Sequence, residues 1–117
     1  NRDVRGRIGE MTMSGSSDGH SYEVRILIEN VGNVHFRPVG EVIILSHGVE
    51  LCRLPVETGI ILPTYARQFK AVWCPEHVVM GPYVARAAFL LDHENPIWIT
   101  RDLHFEIGAS KVANLGE

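Results

Sequence analysis

The feature that most constrains the fold of this chain is an alternation of apolar and polar residues with a period of two. Residues 20–30 show it most clearly, because every second residue is apolar and only Leu27 departs from the pattern: Tyr22, Val24, Ile26 and Ile28. A β-strand buries one face in this way, whereas an amphipathic helix repeats its apolar residues every three to four positions. No stretch of ten residues has a convincing helical period, so the sequence predicts an all-β protein.

Turn-forming residues divide the alternating stretches into about seven predicted strands. These are residues 4–13, 20–30, 36–46, 49–56, 66–74, 83–90 and 97–107. Residues 60–62 are ambiguous between a short strand and a crossing loop. Turn signals about every 8 to 12 residues are typical of two antiparallel sheets that each bury one face, and we therefore expect a Greek-key β-sandwich.

Length and charge narrow the function classes. The chain has 117 residues, of which residues 1–109 are predicted to form one domain and residues 110–117 a C-terminal tail or linker. Its net charge is −3 and its basic residues are scattered, which predicts neither a nucleic-acid partner nor insertion into a membrane. The apolar runs are far shorter than the roughly 20 residues of a transmembrane helix. The start at Asn1, without an initiator Met or a signal peptide, indicates a mature chain or an excised domain.

Turn and core residues in the middle of the chain carry a resemblance to a known group of domains. They are the runs Asn30-Val31-Gly32-Asn33-Val34-His35 and Gly81-Pro82-Tyr83-Val84-Ala85, with Pro38, Gly40, Leu62-Pro63, Arg67, Phe69 and Trp73 between them. This pattern resembles the bacterial and archaeal immunoglobulin-like domains of the fibronectin-III or surface-layer type, which occur in exported multidomain proteins. Thr64 departs from the pattern, because the group usually has Gly at that position.

The resemblance implies an immunoglobulin-like β-sandwich that acts as a non-catalytic structural or interaction module of an exported prokaryotic protein. Such a module is a spacer or protein-binding domain at the cell surface or in the periplasm, and its partners are neighbouring domains of a larger chain or another protein. Termini at opposite ends would allow modules to be strung together. Outward apolar residues are the candidate contact positions, namely Leu27, Leu90 and Trp98. A fainter resemblance to periplasmic pilus chaperones leaves a chaperone-like domain as an alternative.

The same arrangement gives Tyr83 a structural role. It follows Gly81 and Pro82, where the chain re-enters the sheet. We expect its ring to pack inside the sandwich and its hydroxyl to bond a backbone group at the corner.

The sharpest chemical signal is a C-x2-H-x2-M run formed by Cys74, His77 and Met80. Blue-copper proteins bind copper through a thiolate, two imidazoles and a weak axial thioether, and this run resembles the copper loop of cupredoxins such as amicyanin. The resemblance implies His35, 39 residues before Cys74, as the second imidazole, with copper as cofactor and electron transfer as the function. Three strands are predicted between His35 and Cys74, and an odd number of strands would leave the two loops at opposite ends of the sandwich. The loops would meet only if residues 60–62 form a fourth strand. The other interpretation, an ordinary loop without metal or cofactor, is the one we adopt.

The remaining reactive residues form no recognisable catalytic motif. The other histidines occur singly and are predicted to be solvated: His20, His47, His93 and His104. No nucleophile elbow, phosphate-binding glycine loop or H-E-x-x-H sequence is present, so no residue is assigned as catalytic and no enzyme activity is expected. Cys52 and Cys74 could form a disulfide that stabilises the domain by about 3 kcal/mol. They could equally stay reduced, because Cys74 follows the inward-pointing Trp73 and should point outward.

Overall fold

The computed structural model describes residues 1–109 and 111–117, which form eight β-strands and no helix that could cross a membrane. The strands are β1 (Gly6–Gly15), β2 (Tyr22–Asn30), β3 (Val39–Ser46), β4 (Val49–Val56), β5 (Ala66–Trp73), β6 (Gly81–Asp92), β7 (Ile97–Ile107) and β8 (Val112–Gly116). They build a three-stranded sheet in the order β1-β2-β5 and a five-stranded sheet in the order β4-β3-β6-β7-β8, both antiparallel. The chain crosses between the sheets after β2, β4 and β5, which is Greek-key connectivity.

The predicted strands agree closely with the observed ones, and the residual differences have local causes. The bounds of β4 and β7 coincide with the predicted residues 49–56 and 97–107. β3 begins at Val39 rather than at residue 36, because Pro38 has no N–H to donate to a ladder. Phe36 instead makes one isolated bridge to Ile61, so residues 60–62 are a crossing loop and not a fourth strand.

Each strand runs between two ends of the sandwich, which we call the lower and the upper end. The lower end is where β2 finishes at Asn30 and β5 begins. The upper end is where β5 finishes at Trp73, opposite the first residue of β2, Tyr22. The N-terminal residues lie at the lower end, where the Asn33 side chain bonds the backbone of Asn1 and Asp3 at 2.7 Å each.

The C-terminal segment corrects the prediction of a tail or linker, whose first residue, 110, lies outside the described residues. β8 returns beside β7 and pairs with it antiparallel. The Asn114 amide then joins β8 to β1 of the other sheet, accepting from the Met13 N–H at 2.8 Å and donating to the Met13 carbonyl at 3.0 Å. Apolar periodicity does not reveal this strand, because most of its side chains are exposed and backbone pairing holds it.

The path of β8 also corrects the expectation that the termini lie at opposite ends. β8 starts at the upper end, next to Ile107, and runs back towards the lower end. The carboxylate of Glu117 binds Arg101, halfway along β7, at 2.9 Å. The last residue therefore lies part-way along the sandwich and not at the upper end, opposite the first residue.

An aromatic cluster closes the core at the upper end. Successive ring centroids of Tyr22, Trp73, Tyr83 and Phe105 are 5.4, 5.7 and 5.6 Å apart. The Tyr83 hydroxyl donates to the carbonyl of Val79, so the predicted corner role of this tyrosine is confirmed. The hydrogen bond ties the loop between β5 and β6 to the core.

Candidate functional site

The four side chains of the copper hypothesis lie at two opposite ends of the sandwich. His35 lines a cavity at the lower end together with Asp92, the last residue of β6. Cys74 directly follows Trp73 at the upper end. β2 spans nine residues between the ends, and at about 3.4 Å per residue it separates them by roughly 27 Å. One copper ion cannot contact both His35 and Cys74, so the set His35, Cys74, His77 and Met80 is not assembled.

The topology explains this separation. Three strands, β3, β4 and β5, lie between His35 and Cys74 in the chain. An odd number of crossings leaves the chain at the end opposite to where it started. A full strand at residues 60–62 would have brought His35 and Cys74 to the same end. That segment instead contributes a single bridge at Ile61.

The two cysteines are free thiols, so the disulfide alternative is not formed. Cys52 lies on β4 opposite the buried Ile44 and is half-buried, whereas Cys74 is exposed in the loop after β5. Burial raises the pKa of the Cys52 thiol, the negative charge of Glu50 raises it further, and a backbone hydrogen bond with Ile44 offsets part of the rise.

These environments predict two separate rates of alkylation. Only the thiolate is nucleophilic, so at a given pH a raised pKa leaves Cys52 with less of the reactive form than an ordinary thiol has. We expect a maleimide or an aromatic disulfide reagent at pH 8 to modify Cys74 at least about tenfold faster than Cys52. Stopped-flow absorbance measures this directly. Cys74→Ser should remove the fast phase and Cys52→Ser the slow one, and a single phase for both thiols would contradict the assignment.

The outer face of the five-stranded sheet carries a row of large apolar side chains. Val39, Leu90 and Trp98 are direct cross-strand neighbours on β3, β6 and β7. Pro55 and Ala88 adjoin this row, and these five residues line a surface depression of about 290 Å³. Trp98 is 58% exposed, which is unusual for so large an aromatic side chain. We call the five residues the outer patch.

Arginine–carboxylate pairs border the outer patch. Arg53 on β4 binds Glu41 and Glu50 at 2.8 Å each, and Arg86 on β6 binds Asp102 through two hydrogen bonds of 2.8 and 3.0 Å. Hydrogen bonding from Arg86 holds the pKa of the Asp102 carboxyl below its usual range, and Arg53 does the same for Glu50. Exposed pairs contribute little to stability, but these two arginines and three carboxylates give the apolar centre a polar border on one side.

Sequence reasoning found only part of this patch. Leu90 and Trp98 were expected to point outward, and the structure brings them together as neighbours. Leu27 lies on β2 of the other sheet, between Glu10 and Gln68, and does not belong to the patch. Val39 and Pro55 were missed, because the alternation within one strand carries no information about which strands pair.

A second depression lies at the upper end and is lined by His47, His77 and Met80, with Trp73 and Tyr83 beside them. Its volume is about 240 Å³. His47 occupies the turn between β3 and β4 with a φ of 50°, and the other two belong to the loop between β5 and β6. The structure thus keeps two residues of the C-x2-H-x2-M run together and joins them to a different histidine from the one expected.

Comparison with solved structures identifies the fold. The chain is similar to part of a GH2 β-galacturonidase from Eisenbergiella tayi, crystallised with galacturonate, with a TM-score of 0.59 and 12% identity over 95% of this chain. The chain has an immunoglobulin-like β-sandwich fold. It spans 18% of the length of that enzyme, so the likeness concerns the architecture of one segment.

Two further structures have TM-scores of 0.49. One is the CARDB domain of a Pyrococcus furiosus protein in complex with two metal ions, 17% identical over 86% of this chain and 90% of that one. The other is a β-glucosidase from Kluyveromyces marxianus, 11% identical over 95% of this chain and 14% of that one. No family model matches the sequence, and no curated protein matches it either.

Proposed function

We propose that this chain is a non-catalytic interaction module of an exported prokaryotic protein, and that its outer patch docks against a neighbouring domain of a longer chain. The observation that carries the proposal is the exposed Trp98 at the end of a cross-strand apolar row. An apolar centre with a polar rim is the usual anatomy of a protein–protein contact, and tryptophan is enriched among the residues that dominate binding energy.

The sheet presents the patch as a rigid surface. Inward neighbours on the same strands are fully buried, including Val42 on β3 and Phe89 on β6, so the pleat fixes the direction of the outward side chains. A partner that covers the Trp98 ring would remove apolar area from water at about 25 cal/mol per Å², or about 2–3 kcal/mol for a side chain of this size. Docking costs little backbone conformational entropy, because β7, which carries Trp98, is already ordered in the sheet.

Two observations on polar groups support a non-catalytic role. Among the described residues, every buried side-chain nitrogen or oxygen has a hydrogen-bond partner, so the core holds no polar group awaiting a ligand. In the same part of the chain, no three His, Cys, Asp or Glu side chains converge as a metal-binding group. Catalytic centres usually assemble such groups in one cleft.

Fluorescence quenching of the protein with its flanking domains tests the proposal. Trp73 is buried and Trp98 exposed, so iodide should quench Trp98 selectively in the chain alone. With the neighbouring domain attached, we expect the quenching constant to fall at least about threefold, because the docked surface excludes iodide. The Trp98→Phe variant keeps Trp73 as its one tryptophan, so its fluorescence shows how strongly iodide quenches Trp73 alone.

Binding between the separately produced domains provides the second readout. Trp98→Ser should weaken it at least about tenfold, equivalent to about 1.4 kcal/mol. His104→Ala is the matched control, since His104 is also exposed on β7 but lies outside the patch, and it should leave binding unchanged. Unchanged quenching with the flanking domains present, together with full binding by Trp98→Ser, would overturn the proposal. Fractionation of the cells that produce the protein tests the extracytoplasmic location.

A further inference from the structure

Three side chains that bind soft metal ions surround one depression at the upper end. His47, His77 and Met80 line the same cavity of about 240 Å³. β3 and β6 are paired up to Leu45 and Val84, so the turn after β3 and the loop before β6 lie side by side. Residues that are 30 or more positions apart in the sequence are thereby brought to one surface.

We infer that this depression is a binding site for one Cu(I) ion, with the imidazoles of His47 and His77 and the thioether of Met80 as ligands. A thioether is a soft donor that selects Cu(I) over harder divalent ions, and imidazole suits copper as well. All three side chains are exposed, so an ion can enter directly from solvent and the free ligands are not buried without partners.

The arrangement assigns a new partner to the C-x2-H-x2-M run. Cys74 is exposed but does not line the cavity, whereas His77 and Met80 do. Within the described residues no three side chains drawn from His, Cys, Asp and Glu converge. A site here must therefore take Met80 as its third ligand rather than Cys74, which distinguishes it from a thiolate-bound blue-copper centre.

Two local features hold the ligands in place. The Tyr83 hydroxyl bonds the carbonyl of Val79, which fixes the backbone immediately before Met80. His47 and Gly48 form the turn between β3 and β4 with φ values of 50° and 79°, the left-handed conformations of a tight hairpin. Histidine is, with asparagine and aspartate, among the few non-glycine residues that adopt such a conformation readily, so the turn tolerates His47 and places its imidazole at the tip of the hairpin.

Competition for Cu(I) tests the site in the intact chain. The protein is titrated under anaerobic conditions, with ascorbate as reductant, into the coloured complex of Cu(I) with bicinchoninate. We expect one equivalent of Cu(I) to be withdrawn, and His47→Ala, His77→Ala and Met80→Leu each to weaken the affinity at least about tenfold, equivalent to 1.4 kcal/mol. Cys74→Ser and His35→Ala are the matched controls and should bind as the unaltered chain does.

Each contrary result has a defined meaning. A variant that combines His47→Ala, His77→Ala and Met80→Leu gives the background. If the unaltered chain withdraws no more Cu(I) than this variant does, the proposed site is overturned. Loss of affinity in Cys74→Ser, or full affinity in His47→Ala, overturns the ligand assignment, and tighter binding of Zn(II) than of Cu(I) overturns the metal. Unchanged urea midpoints show that the variants remain folded. The outer patch lies on the sheet face, away from this end, so failure here leaves the docking proposal unaffected.

Discussion

Replacing Asn30 with Ala is expected to lower the free energy of unfolding by about 3–4 kcal/mol. Asn30 is 2% exposed, and its amide nitrogen donates to the carbonyls of Val34 and Ile61 at 2.9 Å each. Its amide oxygen accepts from the N–H of Gly32 at 3.0 Å. The truncation removes three hydrogen bonds, each worth roughly 0.5–1.5 kcal/mol and more where a polar group is left unpaired. Of the three backbone groups, the Ile61 carbonyl keeps another partner, the N–H of Phe36.

The effect should be large because Asn30 joins three segments at the lower end. Its own backbone also bonds Tyr65 and Thr64, so the loop after β2, the crossing loop and the turn before β5 all meet at this residue. Urea denaturation at neutral pH measures the change. Asn33→Ala is the control, since Asn33 makes two side-chain hydrogen bonds in the same loop but is exposed, and it should cost less than about 1 kcal/mol. Equal costs for the two variants would refute the central role of Asn30.

Truncation of Phe105 to Ala is expected to cost about 3–5 kcal/mol, the usual range for a buried aromatic residue. Phe105 is fully buried and stacks on Tyr83, with ring centroids 5.6 Å apart. Its loss removes apolar contacts and leaves a cavity that the ordered strands of two sheets can fill only in part. Phe105→Leu should cost distinctly less, because it restores most of the missing volume.

The control for this prediction lies on the same strand. Trp98→Ala removes a larger ring from β7, but that ring faces solvent, so the isolated chain should lose less than about 1 kcal/mol. Thermal and urea unfolding of both variants give the comparison. A greater cost for Trp98→Ala than for Phe105→Ala would mean that the faces of β7 are reversed, and it would also remove the basis of the outer patch.

The directions of side chains along a strand could be predicted from the sequence. Pleating makes successive side chains alternate, so the apolar positions of β2, namely Tyr22, Val24, Ile26 and Ile28, were correctly expected to lie on one buried face. The role of Tyr83 followed in the same way from its place after the turn at Gly81. These are local properties, set by residues within a few positions of each other.

The pairings between distant segments could not be predicted in this way. Trp98 meets Val39 only through β6, and His77 meets His47 only because β6 lies beside β3. Strand order depends on the free energy of the whole sandwich, which a one-dimensional pattern does not contain. For the same reason, the sequence alone could not show which histidine lies beside Cys74, His77 and Met80. The resemblance to cupredoxins suggested His35 instead.

One consequence of the contacts between the sheets concerns self-association. β1 is an outer strand of its sheet, and the guanidinium of Arg101 donates to its carbonyls at Ile8 and Gly9 at 3.0 and 2.5 Å, while Asn114 occupies both backbone groups of Met13. Unpaired backbone groups on an outer strand are the template on which foreign strands accumulate. Because side chains of the same molecule already bond these backbone groups, β1 offers a foreign strand fewer free groups than an unprotected outer strand would, which disfavours fibril growth along β1.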